Sequence, residues 1–196
     1  MISKVFAFIK PFLGVALVLG VLQFTGVLSR VNSVAQSAVM TTGVLNAGIP
    51  ARDGTEENFD YNFAVKDLKG NRVPIDQFKG KVIFLNLWAT WCGPCRAEMP
   101  TIQKLYDNVA KDNLVFVMLS LDRDQDKAKI VDYIGHKAFT FPVYQPSGYL
   151  TQQLDIPSIP TTFIVSKDGK IIAREVGTTN FGTAKFQKFL EAEAAR

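Results

Sequence analysis

The stretch Val82-Ile83-Phe84-Leu85-Asn86-Leu87-Trp88-Ala89-Thr90-Trp91-Cys92-Gly93-Pro94-Cys95 decides how the rest of this chain is read. Its first seven residues are an almost continuous apolar run, the pattern of a strand buried on both faces. The segment Pro94 to Ala110 then carries Met99, Ile102, Leu105, Tyr106 and Val109 at helical spacing, with Pro100 expected to kink it. Between strand and helix lie both of the chain's cysteines. A Cys-x-x-Cys pair at such a junction is suited to making and breaking one disulfide. A bridge across so short a loop restrains the unfolded chain little, so a structural staple is a poor alternative. Two cysteines and one distant histidine, His136, fall short of the four ligands of a structural zinc. Redox use is the reading that survives. No metal is expected, and no cofactor beyond a redox-active Cys92–Cys95 disulfide.

Working outward, Phe59 to Val65 reads as a strand, Lys69-Gly70-Asn71 as a turn and Arg72 to Pro74 as a short returning strand. Asp76 to Lys81 is a surface connection. Downstream of the helix, Leu114 to Leu121 is a second continuous apolar strand. Asp122 or Asp124 can cap the helix after it, whose inner face is read as Ala128, Val131 and Ile134 or Gly135. Phe141 to Tyr144 is short and extended, and Ser147 to Leu154 contains a helical turn. Thr161 to Ser166 and Ile171 to Val176 flank the turn Lys167-Asp168-Gly169-Lys170 as a hairpin. Phe181 to Ala195 is the closing helix, burying Phe186, Phe189 and Leu190. The order is an N-terminal β-hairpin, then βαβα with a parallel crossover, then a ββ hairpin and a helix. That predicts an α/β fold with a mixed central sheet flanked by helices.

The N-terminus reads differently. Pro11 to Leu28 runs 18 residues without a charge, preceded by Lys4 and Lys10. This is long enough to span a bilayer, and longer than the apolar region of a cleavable signal. The nearest small-x-small site, Ser33-Val34-Ala35, lies well beyond it. Residues 1–28 are therefore expected to be a retained single-pass transmembrane helix. The lysines place its N-terminus in the cytoplasm and the rest of the chain outside. Ser29 to Asn58, without an aromatic residue, is read as a flexible tether with a reach of roughly 30 Å. The alternative is an ordered extension packed on the domain, which Val39, Val44, Leu45 and Ile49 leave open. The chain's net charge is +4, and without Lys4 and Lys10 the balance is 20 basic against 18 acidic residues. No basic cluster is interleaved with aromatics, so nucleic acid is not an expected partner.

The run Trp88-Ala89-Thr90-Trp91-Cys92-Gly93-Pro94-Cys95-Arg96-Ala97-Glu98-Met99-Pro100 resembles the active-site signature of thioredoxin-fold proteins, and more narrowly of the membrane-anchored TlpA/ResA-like thiol-disulfide oxidoreductases. Ser158-Ile159-Pro160-Thr161-Thr162 resembles that family's cis-proline segment. Asp168-Gly169-Lys170, followed by a strand and Gly177, resembles its terminal hairpin. The likeness covers residues 59–196 and implies a thioredoxin-like fold, disulfide chemistry and an extracytoplasmic (periplasmic) domain on the inner membrane. It implies protein disulfides as substrates, apocytochrome c among them, a membrane thiol carrier as electron donor, and a monomer. Thioredoxin has a buried aspartate on the strand before its cysteines, whereas this chain has Asn86. Glu98, where that branch often carries a glutamate, takes over as the candidate carboxylate.

Cys92, at the exposed helix N-terminus, is the expected nucleophile, because orphan N–H groups and the helix dipole favour a thiolate. Cys95, one turn inward, is expected to resolve the mixed disulfide. Glu98 is expected to receive its proton, which requires a pKa raised by burial. Gly93 and Pro94 form the tight turn, and the Gly-Pro pair matches thioredoxin, whose potential near −270 mV marks a reductant. Trp91 is expected to be partly exposed beside Cys92 as part of a docking surface, and the Ile159 backbone, beside a cis Pro160, to pair with a substrate strand. Trp88, Phe139, Phe141 and Tyr144 are read as core, and His136 as a solvated helix residue. Two rival functions are a thiol peroxidase of the related redoxin group and a non-catalytic module that binds redox partners. The peroxidatic Pro-x-x-x-Thr-x-x-Cys pattern is missing, since position 85 is Leu and position 89 is Ala.

Overall fold

In the computed structural model, residues 43, 45–48 and 57–196 are described. The expected transmembrane helix and most of the expected tether lie outside the described residues. Among those residues no helix is long and apolar enough to cross a membrane.

Seven strands form one sheet in the order β2-β1-β5-β4-β3-β6-β7. β1 (Ala64–Asp67) and β2 (Arg72–Pro74) make the N-terminal hairpin. β3 (Val82–Trp88) runs at the centre, parallel to β4 (Leu114–Ser120) and antiparallel to β6 (Thr161–Val165). β5 (Val143–Pro146) lies parallel to β4, and β7 (Ile171–Val176) closes the other edge. Helix α1 (Gly93–Asn108) links β3 to β4, α2 (Lys127–Lys137) links β4 to β5, and α3 (Ala184–Ala195) ends the chain.

Every residue of β3 is buried, as its apolar run, broken only by Asn86, requires for a central strand. Its alternating side chains divide the core. Phe84 and Trp88 join a cluster with Met99, Ile102 and Leu105 of α1, Ile130 of α2, and Phe186 and Leu190 of α3. Ile83, Leu85 and Leu87 face a second cluster with Phe63, Ile75, Val117, Phe163 and Leu154, in which loops and 3-10 turns replace helices. Trp88 is fully buried, Phe141 is buried, and Phe139 and Tyr144 are half-buried against these clusters, as core residues.

Several boundaries differ from the sequence reading. The strand expected over Phe59 to Val65 begins only at Ala64, because Phe59 and Phe63 are spent on the loop-side core. The inner face of α2 is not Ala128, Val131 and Ile134 or Gly135. Ile130 is its buried residue, Tyr133 and Ile134 pack beside it, and Val131 is 47% exposed. The apolar residues of this short helix allow two phases about one residue apart, and contact with Trp88 selects the one containing Tyr133. Neither Asp122 nor Asp124 caps α2. Its N-cap is Asp126, which makes no side-chain cap bond. Asp124 opens a 3-10 turn and pairs with Lys66 at 2.7 Å, while Asp122 is committed elsewhere. The closing helix starts at Ala184, capped by Thr183, and Phe181 is buried ahead of it.

Residues 45–48, read as part of the tether, lie against the domain. The Asn180 N–H donates to the Leu45 carbonyl at 2.6 Å, and the Ala47 N–H donates to the Asn180 carbonyl at 3.1 Å. Ala47 is buried there.

Candidate active site

β3 delivers its C-terminal end to the loop Ala89–Trp91, and Cys92 is the N-cap of α1 with an extended backbone. Pro94 sits in the first turn of α1, where its missing N–H costs nothing. Cys92 and Cys95 are joined in a disulfide. The Cys95 N–H points at Cys92 Sγ at 3.1 Å, so an orphan donor of the helix start already faces the sulfur. Contrary to the expected exposure, Cys92 is only 5% exposed, and Cys95 is fully buried. The order of accessibility is as expected, while the first sulfur is more sheltered because Trp88, Ala89 and Met99 belong to the same cluster. Trp91 beside it is 71% exposed, and Gly93 and Pro94 are exposed as well.

The loop before β6 closes the other side. The Ile159–Pro160 peptide is cis. The Ile159 carbonyl oxygen lies 3.8 Å from Cys92 Sγ, and once the disulfide opens a thiol there can donate to it. The Pro160 carbonyl accepts from the Gly177 N–H at 2.9 Å, tying this loop to the end of β7. Gly177 has φ +88, a left-handed conformation that favours glycine.

Glu98 lies one turn beyond Cys95 on α1, and it is 1% exposed rather than an ordinary surface residue. Asn86 on β3 donates to Glu98 Oε1 at 2.8 Å, and the Thr179 N–H donates to Oε2 at 3.1 Å. Asn86 also donates to Thr162 Oγ1 at 2.8 Å, and its own Oδ1 is buried without a partner. Burial pushes the Glu98 carboxyl up to about 8, against the opposing pull of the Asn86 and Thr179 hydrogen bonds. The group is thus a mostly neutral acid at neutral pH that can change charge just above it. Thr162 and Thr179 were not singled out from the sequence. Thr162 was visible inside the Pro-Thr-Thr motif, but Thr179 carries no local signal, since it reaches Glu98 from 81 residues away.

His136 is exposed and bonded to the Asp132 carbonyl of its own helix, away from any site. No group of three or more His, Cys, Asp or Glu residues suited to a metal occurs among the described residues.

A family model described as Redoxin matches residues 47–190. The thiol-disulfide oxidoreductase ResA of Bacillus thuringiensis subsp. konkukian is 35% identical over 112 residues, covering 57% of this chain and 64% of that protein. The chain therefore spans somewhat less than two thirds of that relative's length. The thioredoxin-like protein YneN of Bacillus subtilis is 32% identical over 117 residues, covering 60% of this chain and 69% of that protein. Among solved structures, StoA of Bacillus subtilis superposes with a TM-score of 0.54 at 28% identity, covering 65% of this chain and 94% of that one.

Proposed function

This chain belongs to the redoxin family, in its TlpA/ResA-like branch, and from that premise we propose that it is a thiol–disulfide oxidoreductase that reduces protein disulfides outside the cytoplasm. The observation that carries the reading is the Cys92–Cys95 pair at the start of α1, with a buried, neutral Glu98 one turn below it. A disulfide held only for strength would need no titratable carboxyl beneath it.

In the reduced protein the Cys92 thiolate attacks one sulfur of a client disulfide. A mixed disulfide forms, and the client's other sulfur leaves as a thiolate. Cys95 then attacks Cys92 Sγ, the Cys92–Cys95 bond forms, and the second client sulfur leaves. The client gains two electrons and the Cys92–Cys95 dithiol loses them. Attack by Cys95 requires loss of its thiol proton. The acceptor is Glu98 in the fraction of molecules where it is ionised, and a pKa near 8 matches it to a thiol better than an ordinary carboxylate would be. Trp91, Gly93 and Pro94, which are exposed around Cys92, form the surface on which an extended client segment docks, together with the backbone of the half-buried Ile159 beside the buried Pro160.

The remainder of the reading is drawn from the sequence. Residues 1–28 anchor the chain in the cytoplasmic membrane with its domain outside, a membrane thiol carrier recharges the disulfide, and clients include apocytochrome c. The test is capture. Cys95→Ala expressed in the full chain should accumulate a mixed disulfide with clients, identified by mass spectrometry after trapping, and Cys92→Ala should accumulate none. A measured potential near that of thioredoxin supports a reductant, and one near −120 mV would reverse the direction.

A further inference from the structure

A second buried carboxylate stands beside the cysteine loop and takes no part in the exchange just described. β3 and β4 run parallel in register, with Trp88 opposite Ser120. The ladder continues one step past the strands, the Leu121 N–H donating to the Trp88 carbonyl at 2.8 Å. Thr90 and Asp122, two residues beyond each strand end, therefore meet at the rim of the sheet. Asp122 is 5% exposed. Its Oδ1 accepts from the Thr90 hydroxyl at 2.6 Å, and its Oδ2 accepts from the Thr90 N–H at 2.8 Å. The Ser120 hydroxyl donates to Oδ2 at 2.7 Å and accepts from the Asp122 N–H at 3.1 Å.

A carboxylate removed from water must be compensated, and here three neutral donors do so. Two of them belong to one residue, so the pair is bidentate and fixes both the backbone and the side chain of Thr90. Thr90 is followed directly by exposed Trp91 and then by Cys92, whose N–H is in turn held by the Ala89 carbonyl at 3.2 Å. The contact does not involve either sulfur, so opening the disulfide breaks none of its hydrogen bonds.

We propose that Asp122 is a positioning residue for this site: its carboxylate clamps Thr90 and thereby sets the projection of Trp91 and the direction from which Cys92 Sγ is attacked. The inference rests on the oxidoreductase reading for its functional consequence, but its geometric part stands without it. Small displacements of reacting groups cost rate steeply, up to ~100-fold per ångström.

The experiment compares Thr90→Val, Thr90→Ser, Asp122→Asn and Ser120→Ala in the full chain. Thr90→Val removes the hydroxyl donor alone. Asp122→Asn turns one acceptor into a donor facing a donor. Both should lower kcat/KM for insulin disulfide reduction about tenfold, slow alkylation of reduced Cys92, and change acrylamide quenching of tryptophan fluorescence. That fluorescence reports Trp91, since the second tryptophan, Trp88, is fully buried. Thr90→Ser should restore all three values to within about twofold. Ser120→Ala, which removes the sheet-side donor and leaves both Thr90 contacts, should lower Tm while leaving rate and quenching unchanged. The proposal is overturned if Thr90→Val keeps the parent's alkylation rate and quenching, or if Ser120→Ala loses as much rate as Thr90→Val. If the parent protein does not reduce insulin, the oxidoreductase reading falls, and the alkylation and quenching comparison still decides the positioning role.

Discussion

Replacing Glu98 by glutamine should flatten the pH dependence of stability in the oxidised protein. The carboxyl is 1% exposed and its pKa is raised from 4.5 to about 8, chiefly by desolvation. Between those values the folded protein holds a proton that the unfolded chain has released. Stability therefore falls as pH rises, at close to 1.4 kcal/mol per pH unit, and the loss is complete once the folded group also ionises above about 8. From pH 5.5 to 7.5 the Glu98 share amounts to roughly 2–3 kcal/mol. A glutamine amide is uncharged throughout, so the Glu98→Gln variant lacks this slope, whatever constant offset arises from its altered hydrogen bonds to Asn86 and Thr179. Urea denaturation at pH 5.5, 6.5 and 7.5, with the disulfide intact, yields both curves. Taking the difference cancels the other titrating groups. The variant should gain roughly 2–3 kcal/mol on the parent across that range. A difference constant to within about 0.5 kcal/mol would mean that the folded protein does not hold the proton, and the case for Glu98 as a tuned acceptor would fail.

Other outcomes follow from burial and contact. In the reduced protein Cys92 should be alkylated at least ~10-fold faster than Cys95, read by peptide mapping after timed quenching; equal rates would remove the basis for naming Cys92 the nucleophile. Trp91→Ala, a change at a 71% exposed position, should leave stability within about 0.5 kcal/mol and raise KM for a protein disulfide more than it lowers kcat. Phe181→Ala removes a fully buried ring packed 5.1 Å from Phe84 and 5.2 Å from Phe186, and should cost about 3–5 kcal/mol in chemical denaturation. A cost below about 1 kcal/mol would show that the core around α3 is not packed as described.

The legible part of this protein was the part governed by short-range pattern. An almost continuous apolar run such as Val82 to Trp88 is stable only where both faces are covered, so its central place in the sheet could be read directly. The Cys-x-x-Cys pair at the junction, the exposed Trp91, the buried Trp88 and the final hairpin were readable for the same reason. Where two patterns competed over a short span, as in α2, the apolar positions left the helix phase undetermined until Trp88 and Tyr133 met.

Sequence alone determined the order of elements, the position of both sulfurs and the helical turn separating Glu98 from Cys95. Only the tertiary structure decided that Glu98 is dry, because its partners Asn86 and Thr179 lie 12 and 81 residues away and desolvation depends on everything packed around a group. Asp122 makes the same point. Its local surroundings suggest a helix cap, and the parallel register of β3 with β4 turns it toward Thr90 instead. Periodicity and propensity are properties of neighbours along the chain, whereas burial and electrostatics belong to neighbours in space.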